Sequence, residues 1–543
     1  MPQQIILISG SVSSGKTTLC ELLRSTYPQI YVLKTKEVIR ELARKKLGKE
    51  IEAERRALQD FGTYLDEQTK GEWVRDALRR LINNIDSRDP NAIVIVDAVR
   101  IPEQIKAIRK AYGFLVRHIH LDTPVSALER RYKKRKDSGI KELKSFSEVH
   151  TEKTESRVSK LEKIADVVID TELCRKEDVL AKASTYLALY SRNYGRLVDV
   201  VVGGQYGSEA KGHIVSYLAR EYSLIVRVGG PNAGHKVFFD EGPYTHHQLP
   251  SGTLRSDARL LIGPGAVLNV DKLLQEIADC NVNQDRLMID PQAMVISRND
   301  IAREVGLKAR IGSTGQGVGF AAARRILDRG KGTKLAGDVP ELWPFTRRTA
   351  AEVLEEVYSR GDRVLVEGTQ GIGLSLYHGI YPYVTSRDTS ASGTLAEAGI
   401  PPTRTRKIIM VCRTFPIRVE SPSNGFSGPL AQEISWTEVA KRSKMDSAKL
   451  RRTERTSTTD RRRRVGEFDW QLLRRAATIN GPTDIALTCM DYLSKENEEA
   501  RRYEQLTNDT IRFIEEVERV AAAPVSLIST RFDFRSIIDR RSW

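Results

Sequence analysis

Apolar residues in this chain gather into short, nearly unbroken runs, separated by longer stretches of helical period. Gln4 to Ser9 (QIILIS) and Leu197 to Val202 (LVDVVV) are two such runs, and each passes straight into a glycine-rich loop. A run of this length closed by glycine reads as a strand buried on both faces of a parallel α/β sheet. Further strands are predicted at Ala92 to Val96, Phe114 to Leu121 and Ala165 to Asp170, with a charge-rich helix at Pro124 to Lys136. In the second half the same pattern predicts strands at Leu224 to Val228, Arg259 to Ile262, Arg363 to Glu367, Lys407 to Cys412, Asp484 to Thr488 and Val525 to Ser529. The polar, aromatic stretch Tyr186 to Arg196 separates the two halves. The expected organisation is therefore two α/β domains in series, 1–190 and 191–543, with no short-period repeat.

Composition narrows the class. The 543 residues are 40% hydrophobic, enough for packed cores, and no run of about 18 uncharged apolar residues predicts a membrane span. The start of the chain leads directly into a strand, without the basic and apolar regions of a secretory leader. The five cysteines, Cys20, Cys174, Cys280, Cys412 and Cys489, are odd in number and form no CxxC pair. That favours a reducing cytoplasm over a disulfide framework or a zinc site. The net charge of +16 favours anionic partners such as nucleotides or acidic substrates.

The first glycine loop carries specific chemistry. Gly10-Ser-Val-Ser-Ser-Gly15-Lys16-Thr17 fits G-x-x-x-x-G-K-[ST] between a predicted strand and a predicted helix. Such a loop turns backbone N–H groups toward phosphate oxygens. Lys16 would reach the β- and γ-phosphates, and the Thr17 hydroxyl could hold magnesium. Asp97 closes the run IVIV, where a magnesium-holding or substrate-side acid would sit, and Arg100 follows. The basic segment Arg130 to Lys136 is either a lid over phosphates or a solvated helix face. Together these features resemble the nucleoside-monophosphate-kinase-like branch of P-loop proteins. The phosphate acceptor is not legible.

The second half carries an ordered series: VVVGGQYGSEAKG (Val200 to Gly212), GGPNAGH ending at His235, LPSG (Leu249 to Gly252), IGSTGQGVG (Ile311 to Gly319), VEGTQGIGLSLYHGIYPYVTS (Val366 to Ser386), RRRRVGEFD (Arg461 to Asp469) and LIST (Leu527 to Thr530). This series resembles adenylosuccinate synthetases, especially the compact forms. The resemblance implies a ligase that phosphorylates the purine 6-oxygen from a nucleoside triphosphate and then displaces that phosphate with the amine of L-aspartate. It implies His235, Lys211 and Gln370 as catalytic residues, together with Ser208. Asn232, Thr314, Thr385, Thr459, Arg461 and Arg463 match positions that hold the nucleotide monophosphate and aspartate. A guanidinium suits a dicarboxylate because it binds carboxylate in a fork. The arginine run is therefore assigned to substrate rather than to nucleic acid. Gly207, Gly212, Gly234, Asp491, Ser529 and Thr530 match the donor-nucleotide positions, and Gly234 a magnesium-binding one. Mg²⁺, with ATP or GTP as donor, and a homodimer are likewise implied. The arginine that would cross to the partner's nucleotide is Arg325 or Arg329.

Three departures from the family pattern matter. The family loop usually reads GDEGKG, whereas here it reads GSEAKG, with Ser208 at the acid that takes the purine N1 proton and helps hold magnesium. A hydroxyl is a poor base near neutral pH and a weak magnesium ligand. Phage aminoadenylosuccinate synthetases, which act on dGMP, are similar in carrying serine there. A hydroxyl can accept from a purine 2-amino group that a carboxylate would over-bind. Three readings stay open: a ligase for dGMP or GMP, an ordinary IMP-using ligase, and a nucleotide sensor without ligation. Cys489 stands where longer relatives have lysine beside the base-reading acid, so guanine specificity of the donor is also open. Asp460 replaces a common family glycine.

Overall fold

In the computed structural model, the described residues are 2–27, 29–47, 55–85, 92–137, 145–150, 157–187, 189, 195–239, 242–330, 332–457, 460–533 and 536–541. The chain divides into two compact units, Met1–Tyr190 and Ser191–Trp543.

The first unit is built on a five-stranded parallel sheet. Its order is Ile30–Leu33, Ile93–Val96, Gln4–Gly10, Val116–Asp122, Val167–Asp170. Successive residues of the central strand face opposite layers. Ile5 and Leu7 pack with Val94 and Val96 in one core, while Ile6 and Ile8 pack with Ile93 and Ile95 in the other. Burial on both faces is what makes these strands read as continuous apolar runs. Val116–Asp122 begins later than its apolar run suggests, because Gly113–Leu115 forms a 3-10 turn that leaves Phe114 exposed.

The second unit is a nine-stranded sheet in the order Leu287–Ile289, Arg259–Ile262, Leu224–Arg227, Val364–Glu367, Val198–Gly203, Thr405–Arg413, Asp484–Thr488, Val525–Ser529, Ile537–Asp539. All neighbours are parallel except the last pair. Alternation again splits the core. Val198, Val200 and Val202 face one layer with Val364 and Val366, and Val201 faces the other with Ile225 and Leu365. Asp199 points into the second layer. Its burial is compensated by Arg406, with Nε at 2.9 Å, and by the Tyr222 hydroxyl at 2.6 Å. A small antiparallel sheet, Ile417–Val419, Arg463–Gly466, Glu433–Ile434, and a hairpin, His235–Phe239 with Gly242–His246, sit apart from it.

Parallel strands deliver their carboxyl ends to one edge, and ligands of open α/β sheets bind there. In the second unit that edge carries the loops after Gly203, Arg227, Glu367, Thr488 and Ser529. Among the described residues no helix is long and apolar enough to cross a membrane.

Candidate active site

The loop after Val198–Gly203 is locked from within by a carboxylate. Glu209 is buried, and its Oε1 accepts from the backbone N–H of Gly207 at 2.6 Å and of Gln205 at 3.2 Å. Its Oε2 takes the Lys211 ammonium at 2.7 Å, and Lys211 also donates to the Gly207 carbonyl at 3.2 Å. Space around this carboxylate requires glycine. A Cβ on Gly203 or on Gly371 would lie 2.7 Å from a Glu209 oxygen. Lys211 opens the helix Lys211–Leu218, whose N-terminal N–H groups favour anions. Ser208 lies between these fixed points, half-buried.

His235 is the first residue of the strand His235–Phe239. Its Nδ1 lies 2.5 Å from Glu367 Oε1, and Glu367 ends the strand Val364–Glu367, fully buried. A carboxylate only accepts, so Nδ1 carries the proton and Nε2 faces away. Nε2 is buried with no hydrogen-bond partner. Glu367 is held in turn by the Ser251 hydroxyl, by the Ser251 N–H at 2.8 Å, and by Arg227 Nη1 at 3.1 Å. Arg227 and the other donors around it hold the Glu367 carboxyl well below the ordinary range despite burial. Burial, aided by Arg227, lowers His235 to about 4 against the pull of Glu367. The imidazole is thus neutral near pH 7, with an acceptor lone pair on Nε2.

Gln370 lies on the next loop, over the glycine loop, with Oε1 buried and unpartnered. A Cβ on Gly207 would sit 3.0 Å from its Cα. Gln370 has φ 55°, and Ala210, Asp460 and Cys489 have φ 63°, 48° and 64°. Left-handed non-glycine backbone costs on the order of 1–3 kcal/mol and concentrates at functional sites. All four positions lie in the segments singled out from the sequence.

The arginine run is divided by the structure. Arg461 reaches the Gly312 carbonyl at 2.6 Å and the Ser313 carbonyl at 3.2 Å, beside Thr314. Arg463 donates to Glu454 at 2.9 Å, while its Nε is buried without a partner. Asp460, largely exposed, is tied to Arg455 at 3.0 Å. Asn232 also keeps a buried, unpartnered Oδ1. The Gly234 carbonyl accepts from the Ser457 hydroxyl at 2.8 Å, and the Thr385 N–H donates to the Leu374 carbonyl at 2.8 Å. Thr459 lies outside the described residues.

Asp491 follows the strand Asp484–Thr488 and is buried with Oδ1 unpartnered. Burial, with Glu498 nearby, raises its carboxyl to about 7. Its N–H donates to the Thr530 carbonyl at 3.0 Å, which brings the Ser529–Thr530 turn alongside. The Ser529 and Thr530 hydroxyls are spent on backbone carbonyls, at 2.9 Å to Arg531 and 3.2 Å to Ser536. Burial raises the Cys489 thiol to about 12, so it stays neutral. Arg325 is tied to its own unit through the carbonyls of Gln292 at 2.7 Å and Pro264 at 3.2 Å, whereas Arg329 is exposed.

In the first unit the phosphate loop follows Gln4–Gly10 and leads into the helix Lys16–Thr26, with Gly10 at φ 145° and Gly15 at φ 97°. Lys16 donates to the carbonyls of Gly10 at 2.6 Å and Ser11 at 2.8 Å, and Thr17 is exposed. Asp97 Oδ1 accepts from the Thr35 N–H at 2.9 Å and hydroxyl at 2.7 Å. Burial raises its carboxyl, with Arg100 and Lys16 opposing. Of the basic helix Val125–Asp137, Arg131 is committed to Thr171, with Nη1 3.0 Å from its Oγ1 and Nη2 2.6 Å from its carbonyl, so that cation is a clamp within the unit.

Comparison with known proteins decides the family of the second unit. Residues 200–336 and 339–498 match the family described as adenylosuccinate synthetase. The chain belongs to the adenylosuccinate synthetase family. The adenylosuccinate synthetase of Pyrococcus sp. (strain ST700) is 41% identical over 351 residues, covering 63% of this chain and 98% of that protein. A solved structure of the cyanophage S-2L succinoaminodeoxyadenylate synthetase, bound to dGMP and dATP as energy donor, superposes with TM-score 0.54 at 25% identity, over 64% of this chain and 96% of that one. The adenylosuccinate synthetase of Plasmodium falciparum shares the fold, with TM-score 0.56 at 19% identity, over 64% of this chain and all of that one. Residues 6–153 match an AAA domain family, in keeping with a P-loop unit.

Membership of the adenylosuccinate synthetase family makes this a C–N ligase. Reading the motifs alone passes over Glu209, Arg227, Glu367, Arg413 and Glu454. Glu209 and Glu367 lie inside the quoted motifs. Glu367 ends an apolar run and finds its partners only from elsewhere in the chain, whereas Glu209 finds its own within the glycine loop and is marked by its burial.

Proposed function

We propose that the second unit joins L-aspartate to the 6-position of a purine nucleoside monophosphate, and that it uses dGMP or GMP in preference to IMP. Phosphoryl transfer from the donor to the purine 6-oxygen turns that oxygen into a leaving group. The aspartate amine then attacks C6, phosphate departs, and a proton is lost from nitrogen. The observation that carries the ligase reading is the convergence of unspent polar atoms on one sheet edge: His235 Nε2, Gln370 Oε1, Asn232 Oδ1 and Asp491 Oδ1. Buried polar atoms are ordinarily paired, so a set left open marks where a polar ligand belongs. Beside a bound phosphate anion His235 would take a proton on Nε2 and donate a hydrogen bond to the transferring phosphoryl group, and Lys211 would add positive charge there. Arg461 and Arg463 would bind the carboxylates of aspartate.

The donor set suits magnesium only through hard oxygens: the Gly234 carbonyl, the Ser208 hydroxyl and phosphate oxygens. A bound magnesium would neutralise charge on the phosphates during transfer. Asp491 would read the donor base through its open Oδ1, and a homodimer with Arg329 reaching the partner's nucleotide fits its exposure.

Ser208 carries the purine preference. It is a neutral, half-exposed residue in a loop whose other polar groups are locked together, so it can accept from a 2-amino group. The likeness to a structure holding dGMP supports this. IMP is the second reading, favoured by the 41% identity to the Pyrococcus enzyme. Incubation with aspartate, Mg²⁺, ATP or GTP and each of IMP, GMP and dGMP, followed by mass spectrometry, separates them. We expect succinylated guanine nucleotides from the native chain and a shift toward IMP in Ser208→Asp. One mismatched hydrogen-bonding group can discriminate by up to roughly 10⁴-fold. Turnover of IMP alone refutes the preference, and turnover of no purine moves the sensor reading ahead. The first unit, by its phosphate loop, would bind a second triphosphate and transfer its γ-phosphoryl group to an acceptor.

A further inference from the structure

Glu454 follows the helix Ser447–Thr453 and is buried, yet neither of its oxygens is idle. Oε1 accepts from Arg413 Nη2 at 2.9 Å and from the Tyr492 hydroxyl at 2.6 Å. Oε2 accepts from Arg463 Nη1 at 2.9 Å. Each donor belongs to a different part of the site. Tyr492 is the neighbour of Asp491 on the donor-base turn. Arg463 lies on the strand assigned to aspartate. Arg413 is fully buried, and its backbone clasps the Gln205 side chain of the glycine loop, N–H to Oε1 at 3.1 Å and carbonyl from Nε2 at 3.0 Å.

The charges do not cancel. One carboxylate faces two guanidiniums, and Nε of both Arg413 and Arg463 is buried without a partner; Arg463 is the less buried of the two and lies on the side assigned to aspartate. An anion is the ligand that would complete it. Tyr492 and Arg463 hold opposite oxygens of this one carboxylate, so a shift of Tyr492 turns the carboxylate against Arg463. The position of Tyr492 depends on where the donor-base turn sits, because Tyr492 and Asp491 share that turn.

We propose that Glu454 is a positioning residue that couples the two substrate sites, so that occupation of the donor-base turn at Asp491 orients Arg463 for the carboxylate of aspartate. This rests on the reading that Arg463 binds aspartate and Asp491 the donor base. The two guanidiniums hold Glu454 ionised, at about 2, despite burial, so the linkage is in place throughout the neutral range.

The test uses the full chain and steady-state kinetics, with aspartate titrated at low and at saturating donor triphosphate. Tyr492→Phe removes one O–H and leaves all three charges, so it is expected to fold. Glu454→Gln removes the carboxylate charge. In the native chain the aspartate KM should fall as donor rises. Coupling between sites is typically at least about fivefold. In Tyr492→Phe the aspartate KM at saturating donor should rise by about that factor, with kcat little changed and the dependence on donor flattened. Glu454→Gln should move the same parameters further in the same direction. A purely structural role would raise the aspartate KM equally at both donor levels. That result, or a Tyr492→Phe enzyme indistinguishable from native at both levels, overturns the proposal. Failure of the native chain to form any succinylated product would sink the ligase reading instead, and this inference with it.

Discussion

Replacing Glu367 by glutamine would test the proton geometry at His235. The substitution keeps volume and shape but removes a charge from a fully buried position. Two consequences follow from the distances. Arg227, itself buried, loses the carboxylate 3.1 Å from its Nη1. Stripping one partner from a buried ion pair typically costs about 3–5 kcal/mol of stability. His235 loses the acceptor 2.5 Å from Nδ1 that fixes which nitrogen carries the proton. An amide cannot balance the charge of an imidazolium, so the ring can no longer keep one proton on Nδ1 while donating a second from Nε2 to a phosphoryl oxygen. Turning the carboxylate partner of a catalytic histidine into an amide costs about 10⁴ in kcat in the serine proteases. Loss of a single transition-state hydrogen bond costs about 10²–10³. The expected fall in kcat therefore lies between about 10² and about 10⁴, with KM for each substrate changed far less. Phosphate release and succinyl-nucleotide formation would be followed together, with a thermal melt to show that the variant is folded. A folded Glu367→Gln enzyme with kcat within about threefold of native would refute the assignment of His235, since no hydrogen-bond term in that range is so small.

Other outcomes are checked more simply. Lys16→Ala should abolish triphosphate binding by the first unit, measured by equilibrium dialysis, while leaving aspartate ligation by the full chain near native. Equal loss of both would show that one site serves both functions. With Asp491 raised to about 7, a guanine donor must displace a proton at lower pH. The GTP Kd should therefore rise about tenfold per unit well below pH 7, and Asp491→Asn should remove the slope. Burial holds His118, His213, His235 and His247 near 4 and His246 near 3, all below their unfolded value. The unfolded chain therefore binds more protons, so this stability is present above about pH 6.5 and drains away as pH falls toward 4, at up to about 1.4 kcal/mol per unit for each histidine. Calorimetry from pH 7 to 5 should show Tm falling, and a flat Tm would contradict it. Gly371→Ala should disable ligation, because the new methyl would meet a Glu209 oxygen at 2.7 Å and unseat the Lys211 pair. Native activity in that variant would show that the loop yields to the added methyl.

The sequence by itself determined the class of fold, because a parallel strand buried on both faces is apolar at most positions, and such runs as QIILIS, IVIV and the VVV of Val200–Val202 stand out without any partner being known. It also determined the two glycine loops, since each chemistry needs adjacent residues. It did not mark Ile30–Leu33, Leu287–Ile289 or Ile537–Asp539, which are three or four residues long and draw their pairing from neighbours distant in the chain. The open polar atoms at the sheet edge could not be counted either. That Gln370 Oε1 is unspent, or that Ser529 and Thr530 are committed to backbone carbonyls, depends on what else is packed within 3 Å. The tertiary structure alone decided the carboxylates. Glu367 and Glu454 look like ordinary surface acids in the sequence, and become fixed charges only when folding brings Arg227, Arg413 and Arg463 against them. An ion pair in a buried site is a property of two positions and the space between them, and for Glu367 and Arg227 that separation along the chain is 140 residues.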